Sequence, residues 1–99
     1  MWYAIIGRDA PDSAQARRDA RPAHLERIQA LVEDGRVLLA GPFPAIDAED
    51  PGPAGFSGSL MVVDFPDLDS ATEWAKADPY VSGGVFERVE VKPFKPVLP

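Results

Sequence analysis

Apolar residues recur with two different periods along this 99-residue chain. Trp2-Tyr3-Ala4-Ile5-Ile6 is dense in aromatic and β-branched residues and is closed by Gly7 and the polar run Arg8-Asp9-Ala10-Pro11; it reads as a first strand. A helical period then runs through Ala16, Ala20, His24, Ile28, Leu31 and Val32, with Gly35 as its stop. Asp12, with Gln15 three residues on, resembles a capping box that opens this helix. Pro22 interrupts the period, and proline inside a helix removes a hydrogen bond and crowds the preceding turn. The expectation is a short first piece and a main helix from Pro22, where proline suits the first helical position.

Arg36-Val37-Leu38-Leu39-Ala40 reads as a second strand closed by Gly41-Pro42. Phe43 to Ser57 reads as a loop of about fifteen residues, long enough in so small a chain to be functional or a dimer element. Gly58 to Phe65 is a continuous apolar run suited to a central strand. Asp67 or Asp69 caps a short helix through Trp74 and Ala77, and Asp78-Pro79-Tyr80 ends it. After the Gly83-Gly84 turn, Val85 to Phe94 alternates. Val85, Glu87, Val89 and Val91 fall on one face, and Phe86, Arg88, Glu90 and Lys92 on the other. A proline-rich tail follows. The order β-α-β-β-α-β predicts a ferredoxin-like α+β fold, with a four-stranded antiparallel sheet and two helices on one face. The other face is left open, and a second copy of the same sheet is the simplest cover for it.

Composition narrows the function. The chain length fits one domain over residues 1–99. Hydrophobic content of 45% and charged content of 26% are those of a globular protein. A net charge of −6 argues against nucleic acid and anionic membrane surfaces as partners. The apolar start is too short for a membrane span and lacks the basic and small-residue flanks of a leader. No cysteine is present, which excludes disulfides and thiolate chemistry and fits a cytoplasmic location. One histidine and scattered acids give no metal-ligand spacing, and no glycine-rich phosphate loop is present; neither metal nor cofactor is expected. The acidic run Asp47, Glu49, Asp50 lacks calcium-loop order and reads as solvated loop.

Candidate chemistry centres on His24, the only histidine. Arg21, His24, Ile28 and Leu31 repeat at three- and four-residue steps, so they share a helix face that points to the sheet. Asp78 ends the second helix, a neighbour of the first in this topology, and is placed to orient the imidazole. His24 is then either a general acid–base or a structural histidine, and Asp78 either its partner or ordinary turn chemistry. Arg21 either anchors an anionic substrate group or pairs with Asp19 or Glu26. Ser59 either hydrogen-bonds a substrate oxygen or caps the loop; a nucleophilic serine lacks its sequence elbow. Gly41 either allows close backbone approach or makes a strand-end turn. Tyr80 is a pocket wall, a proton donor or a packed aromatic. Trp2, Tyr3, Phe56 and Trp74 are core or dimer contacts.

The segments Arg21-Pro22-Ala23-His24-Leu25, Ala40-Gly41-Pro42, Gly55-Phe56-Ser57-Gly58-Ser59, Ala77-Asp78-Pro79-Tyr80 and Val91-Lys92-Pro93-Phe94 resemble the YciI-like (YCII-related) family in order and spacing over nearly the whole chain. That family is similar to the muconolactone-isomerase-like group of dimeric α/β barrels. The resemblance implies a homodimer with sheets packed face to face, and an active site around a histidine and an aspartate that fall on His24 and Asp78. Ser82-Gly83-Gly84 departs from relatives that often carry alanines there. The leading expectation is a small cofactor-independent enzyme using His24 and Asp78 for isomerisation, elimination or lactone rearrangement of a small metabolite. The alternatives are a non-catalytic ligand-binding or interaction module and, by fold analogy alone, a cofactor-free monooxygenase.

Overall fold

The computed structural model describes residues 1–99. The strands are β1 (Trp2–Asp9), β2 (Val37–Pro44), β3 (Phe56–Asp64) and β4 (Phe86–Phe94), and the helices are α1 (Ala14–Glu33), α2 (Leu68–Lys76) and α3 (Pro79–Ser82). The sheet runs β2-β3-β1-β4 with every neighbour antiparallel. This is the ferredoxin-like order expected from the β-α-β-β-α-β pattern.

Directly opposed residues share a face of the sheet. Tyr3, Ile5, Met61 and Val63 point to the helices, where they meet Ile28 and Leu31 of α1 and Ala71 and Ala75 of α2 in the main core. Tyr80, Val85 and Phe86 form a second buried cluster under the N-terminal half of α1, against Ala16 and Ala20. The opposite face carries Trp2, Ala4 and Ile6 with their β3 partners Asp64, Val62 and Leu60, the exposed Leu39, Phe43 and Phe94, and the charged Arg88, Glu90 and Lys92.

Four local expectations are corrected. α1 is one unbroken helix with Pro22 inside it. Pro22 and Arg18 lie on the solvent face, where water can serve the carbonyl freed by the missing N–H, while His24, Ile28 and Leu31 anchor the helix to the sheet. Second, the helix starts one residue later than Asp12: Ser13 is the N-cap, and neither it nor Asp12 makes a capping hydrogen bond. Asp12 instead turns the chain with φ of 56°, a left-handed position that aspartate tolerates better than most residues.

Third, the long loop is shorter than fifteen residues, because β2 continues to Pro44 and β3 starts at Phe56. β2 is an edge strand, and an edge accepts Pro42 and Pro44 because the missing donor faces solvent. The hairpin closes through Ala45 N–H to the Gly55 carbonyl at 2.9 Å, and a 3-10 turn at Gly52–Ala54 fills its tip. Gly41 therefore lies inside β2, opposite Leu60, and not in a strand-end turn. Fourth, Phe86 is not on the face of Arg88 and Glu90. The pairing steps from Arg8 opposite Arg88 to Asp9 opposite Phe86, so Glu87 is an extra bulged residue. The bulge turns Phe86 inward, onto the same side as Val89.

That inward ring requires glycine beneath it. A Cβ at Gly7 would lie 2.5 Å from the Phe86 ring, and one at Gly58 would lie 2.2 Å from the Gly7 carbonyl oxygen. Gly7→Ala is expected to destabilise the fold by roughly 1–3 kcal/mol, the usual effect of overpacking. Urea unfolding of the variant, with a lowered midpoint and an unchanged slope, checks this.

Candidate active site

Asp78 ends the chain that leaves α2 and begins α3. The residue before a proline favours extended backbone, and Asp78 has φ −63° and ψ 135° with Pro79 at the first helical position. Its Oδ1 accepts the Tyr80 backbone N–H at 2.8 Å, which caps α3. The same carboxylate accepts from His24 Nδ1, at 2.7 Å to Oδ1 and 3.0 Å to Oδ2. His24 is 6% and Asp78 1% exposed, so the bond is made out of water. A carboxylate acceptor at Nδ1 places the imidazole proton there and leaves Nε2 with its lone pair when the ring is neutral. Nε2 makes no hydrogen bond within the chain and is not sealed from solvent; His24 forms part of a cavity wall.

The Tyr80 ring lies flat against the imidazole, with centroids 3.7 Å apart and planes 4° from parallel. Phe86 meets the Tyr80 ring edge-on at 5.3 Å. Tyr80 is thus both a packed aromatic and a cavity wall. Burial pushes its phenol above the ordinary value of 10.0, while the nearby Arg17 and Arg21 guanidiniums oppose that rise. The hydroxyl is therefore a hydrogen-bond donor at neutral pH.

Behind the dyad, Arg27 holds a guanidinium nitrogen 3.8 Å from Asp78 Oδ2, donates to the Trp74 carbonyl at 2.8 Å and lies over the Trp74 ring. On the other side of Tyr80, Arg17 makes a two-bond fork to Asp9, with Nε and Nη2 each 2.9 Å from a carboxylate oxygen. Its Nη2 also reaches Ser59 Oγ at 3.2 Å and the Gly58 carbonyl at 3.3 Å. The Arg17 guanidinium sits 4.9 Å from the Tyr80 ring centroid and 5.4 Å from that of Phe56. Arg17, Asp9 and Arg27 were not singled out from the sequence. Arg17 was detectable, because it precedes Arg21 by four and His24 by seven residues and so continues the same helix face.

The cavity has a volume of about 310 Å³ and lies between α1, β2 and β3. His24, Arg21, Gly41, Ser59 and Tyr80 all line it, while Asp78 stands behind His24. Ser59 hydrogen-bonds Arg17 and not His24, so no serine–histidine relay is assembled. Ser57 is exposed at the hairpin, 3.5 Å from the Phe43 carbonyl. Arg21 pairs with neither Asp19 nor Glu26; Asp19 instead accepts from Gln15 at 2.8 Å. A Cβ at Gly41 would meet nothing within 4 Å, so close packing does not demand glycine there.

The YCII-related domain family matches residues 1–95. The chain belongs to that family. Protein YciI of Escherichia coli O6:H1 is 54% identical over 98 residues, 99% of this chain and 100% of that protein. The xenovulene A biosynthesis cluster protein asL2 of Sarocladium schorii is 31% identical over 85 residues, 82% of this chain and 74% of that protein. Among solved structures, the 5-chloro-2-hydroxyhydroquinone dehydrochlorinase TftG of Burkholderia phenoliruptrix AC1100, in complex with 2,5-dihydroxybenzoquinone, superposes with a TM-score of 0.83. It is 24% identical, over 96% of this chain and 94% of that one, and shares the fold of this YCII-related chain.

The raised phenol predicts a pH response. A group whose folded pKa lies above its unfolded value contributes stability that is full below the unfolded value and lost as pH rises through the folded one. Wild-type unfolding midpoints should fall more steeply above pH 10 than those of Tyr80→Phe, and absorbance titration should show one phenol ionising late that Tyr80→Phe removes.

Proposed function

We propose that this YCII-related protein is a small enzyme that moves protons on a small metabolite, with His24 as the general acid–base and Asp78 as its orienting partner. One observation carries the reading: a buried imidazole fixed by a carboxylate at Nδ1, with Nε2 free and a 310 Å³ cavity in front of it. In this mechanism Nε2 takes a proton from an acidic C–H or O–H of the substrate, and the bonding electrons stay on the substrate as an enolate. Asp78 stabilises the imidazolium that forms. The enolate then either recovers the proton at another atom, which is isomerisation, or expels a leaving group, which is elimination. Loss of HCl, the reaction in the name of the structural neighbour TftG, is of the second kind. A relative encoded in a biosynthetic cluster is in keeping with small-molecule chemistry.

His24→Gln keeps the size and polarity of the side chain but cannot exchange a proton at neutral pH. Wild type and variant would be compared on chlorinated hydroquinones and enolisable lactones in D2O by NMR, following chloride release and deuterium uptake. The expected result is turnover that falls about 10²–10⁴-fold in the variant, the range of a general base, in a protein that circular dichroism shows to be folded at the assay temperature. Equal activity in both proteins, or none in wild type, sinks the proposal.

We also propose that the working unit is a homodimer formed through the open sheet face. Its support is the apolar character of that face, where Leu39, Phe43 and Phe94 are 49%, 39% and 40% exposed beside Trp2 and Ile6. Exposed apolar side chains grouped on one sheet face, here bordered on β4 by the Arg88–Glu90–Lys92 ion pairs, are the kind of surface a protein partner covers. Sedimentation should give twice the chain mass for wild type and the single mass for Leu39→Lys; a wild-type monomer would contradict it.

A further inference from the structure

We infer that the His24 cavity is built for a small anion, a one-ring carboxylate or ionised enol, with its charged oxygen between Arg17, Arg21 and the Tyr80 hydroxyl. The inference rests on the acid–base reading of the same cavity and names the class of substrate it takes. The chain holds 16 acidic against 10 basic residues, yet no aspartate or glutamate lines this cavity, whereas two arginines do.

The two arginines play different parts. Arg17 is fixed: Asp9 occupies Nε and Nη2, Ser59 and Gly58 take the remaining reach of Nη2, and the guanidinium also stands against the Tyr80 hydroxyl. The guanidinium plane is thus preset beside the Tyr80 oxygen at the cavity wall. Its charge is largely met by Asp9, so Arg17 supplies direction more than net charge. Arg21 supplies the charge. It is exposed, has no carboxylate partner and reaches the same cavity four residues further along the helix. Both guanidiniums favour negative charge at the Tyr80 oxygen, and that oxygen stays protonated and able to donate. Leu25, Ile28 and Met61 supply the apolar wall, and the volume suits one ring with its substituents. An anion held there sets its ring near His24, and the same cations stabilise the enolate that proton removal creates.

The probes are benzoate and its neutral isostere benzamide, titrated into the protein while the ring signals of the single histidine and the Ser59 amide are followed by NMR. Benzoate should bind at least about tenfold more tightly than benzamide, one charge-assisted contact's worth. In Arg21→Gln the benzoate affinity should fall about tenfold while benzamide is unaffected; Arg21 makes no hydrogen bond in the fold, so this variant stays folded. Asp9→Asn combined with Arg17→Gln, which removes the fork without leaving a buried charge, should weaken benzoate as well. Equal affinity for the two probes, no benzoate binding up to about 10 mM, or unchanged benzoate affinity in Arg21→Gln overturns the inference. His24→Gln separates the two proposals. Benzoate preference without turnover in wild type would remove the acid–base reading alone, and His24-dependent turnover without benzoate preference would remove the anion alone.

Discussion

The Asp78 carboxylate is the constraint on which the site depends. One buried group accepts from the Tyr80 backbone and from His24 Nδ1, so a helix cap and a side-chain orientation are decided by the same oxygen. Because Asp78 lies on the connection after α2 and His24 on α1, the bond also ties the two halves of the helical layer together. Tyr80 completes the unit by stacking on the ring that its own N–H helps to hold in place. Buried carboxylates are costly unless their lone pairs are used and their charge is met. The Arg27 guanidinium stands near the other oxygen and contributes to that balance.

A similar logic shapes the opposite wall. Asp9 at the end of β1 and Arg17 in the first turn of α1 are both largely buried, and the fork between them joins the first strand to the first helix. The Arg17 Nη2 also donates to β3, at Gly58 and Ser59. The cavity is thus bounded by two carboxylate-held cationic or ionisable groups, one on each side of Tyr80. Both carboxylates are turned away from the cavity, so the acidity of the chain as a whole is not felt as acidity inside it.

The parts legible in the sequence are those set by local periodicity. The run Trp2–Ile6, the helical recurrence of His24, Ile28 and Leu31, and the apolar stretch through Val63 each declare their element, and their order yields the sheet. His24 and Asp78, 54 residues apart, were paired by topology together with family resemblance, not by spacing. What stayed hidden depends on register or on the third dimension. The bulge at Glu87 reverses the face of Phe86, and no alternation of residue types announces it. The Asp9–Arg17 fork needs the exact end of a strand to meet the start of a helix across a left-handed Asp12. Pro22 reads as a break on local propensity alone, and the packing of α1 on both sides of it overrides that propensity.

The prolines of the edge strand have a consequence for how this chain meets its own kind. β2 runs along one margin of the sheet, and Pro42 and Pro44 deny that margin two hydrogen-bond donors over three residues. A margin gapped in this way is a poor template for another strand. The sheet is therefore discouraged from growing sideways into ribbons or fibrils, even though it exposes apolar side chains on its flat side.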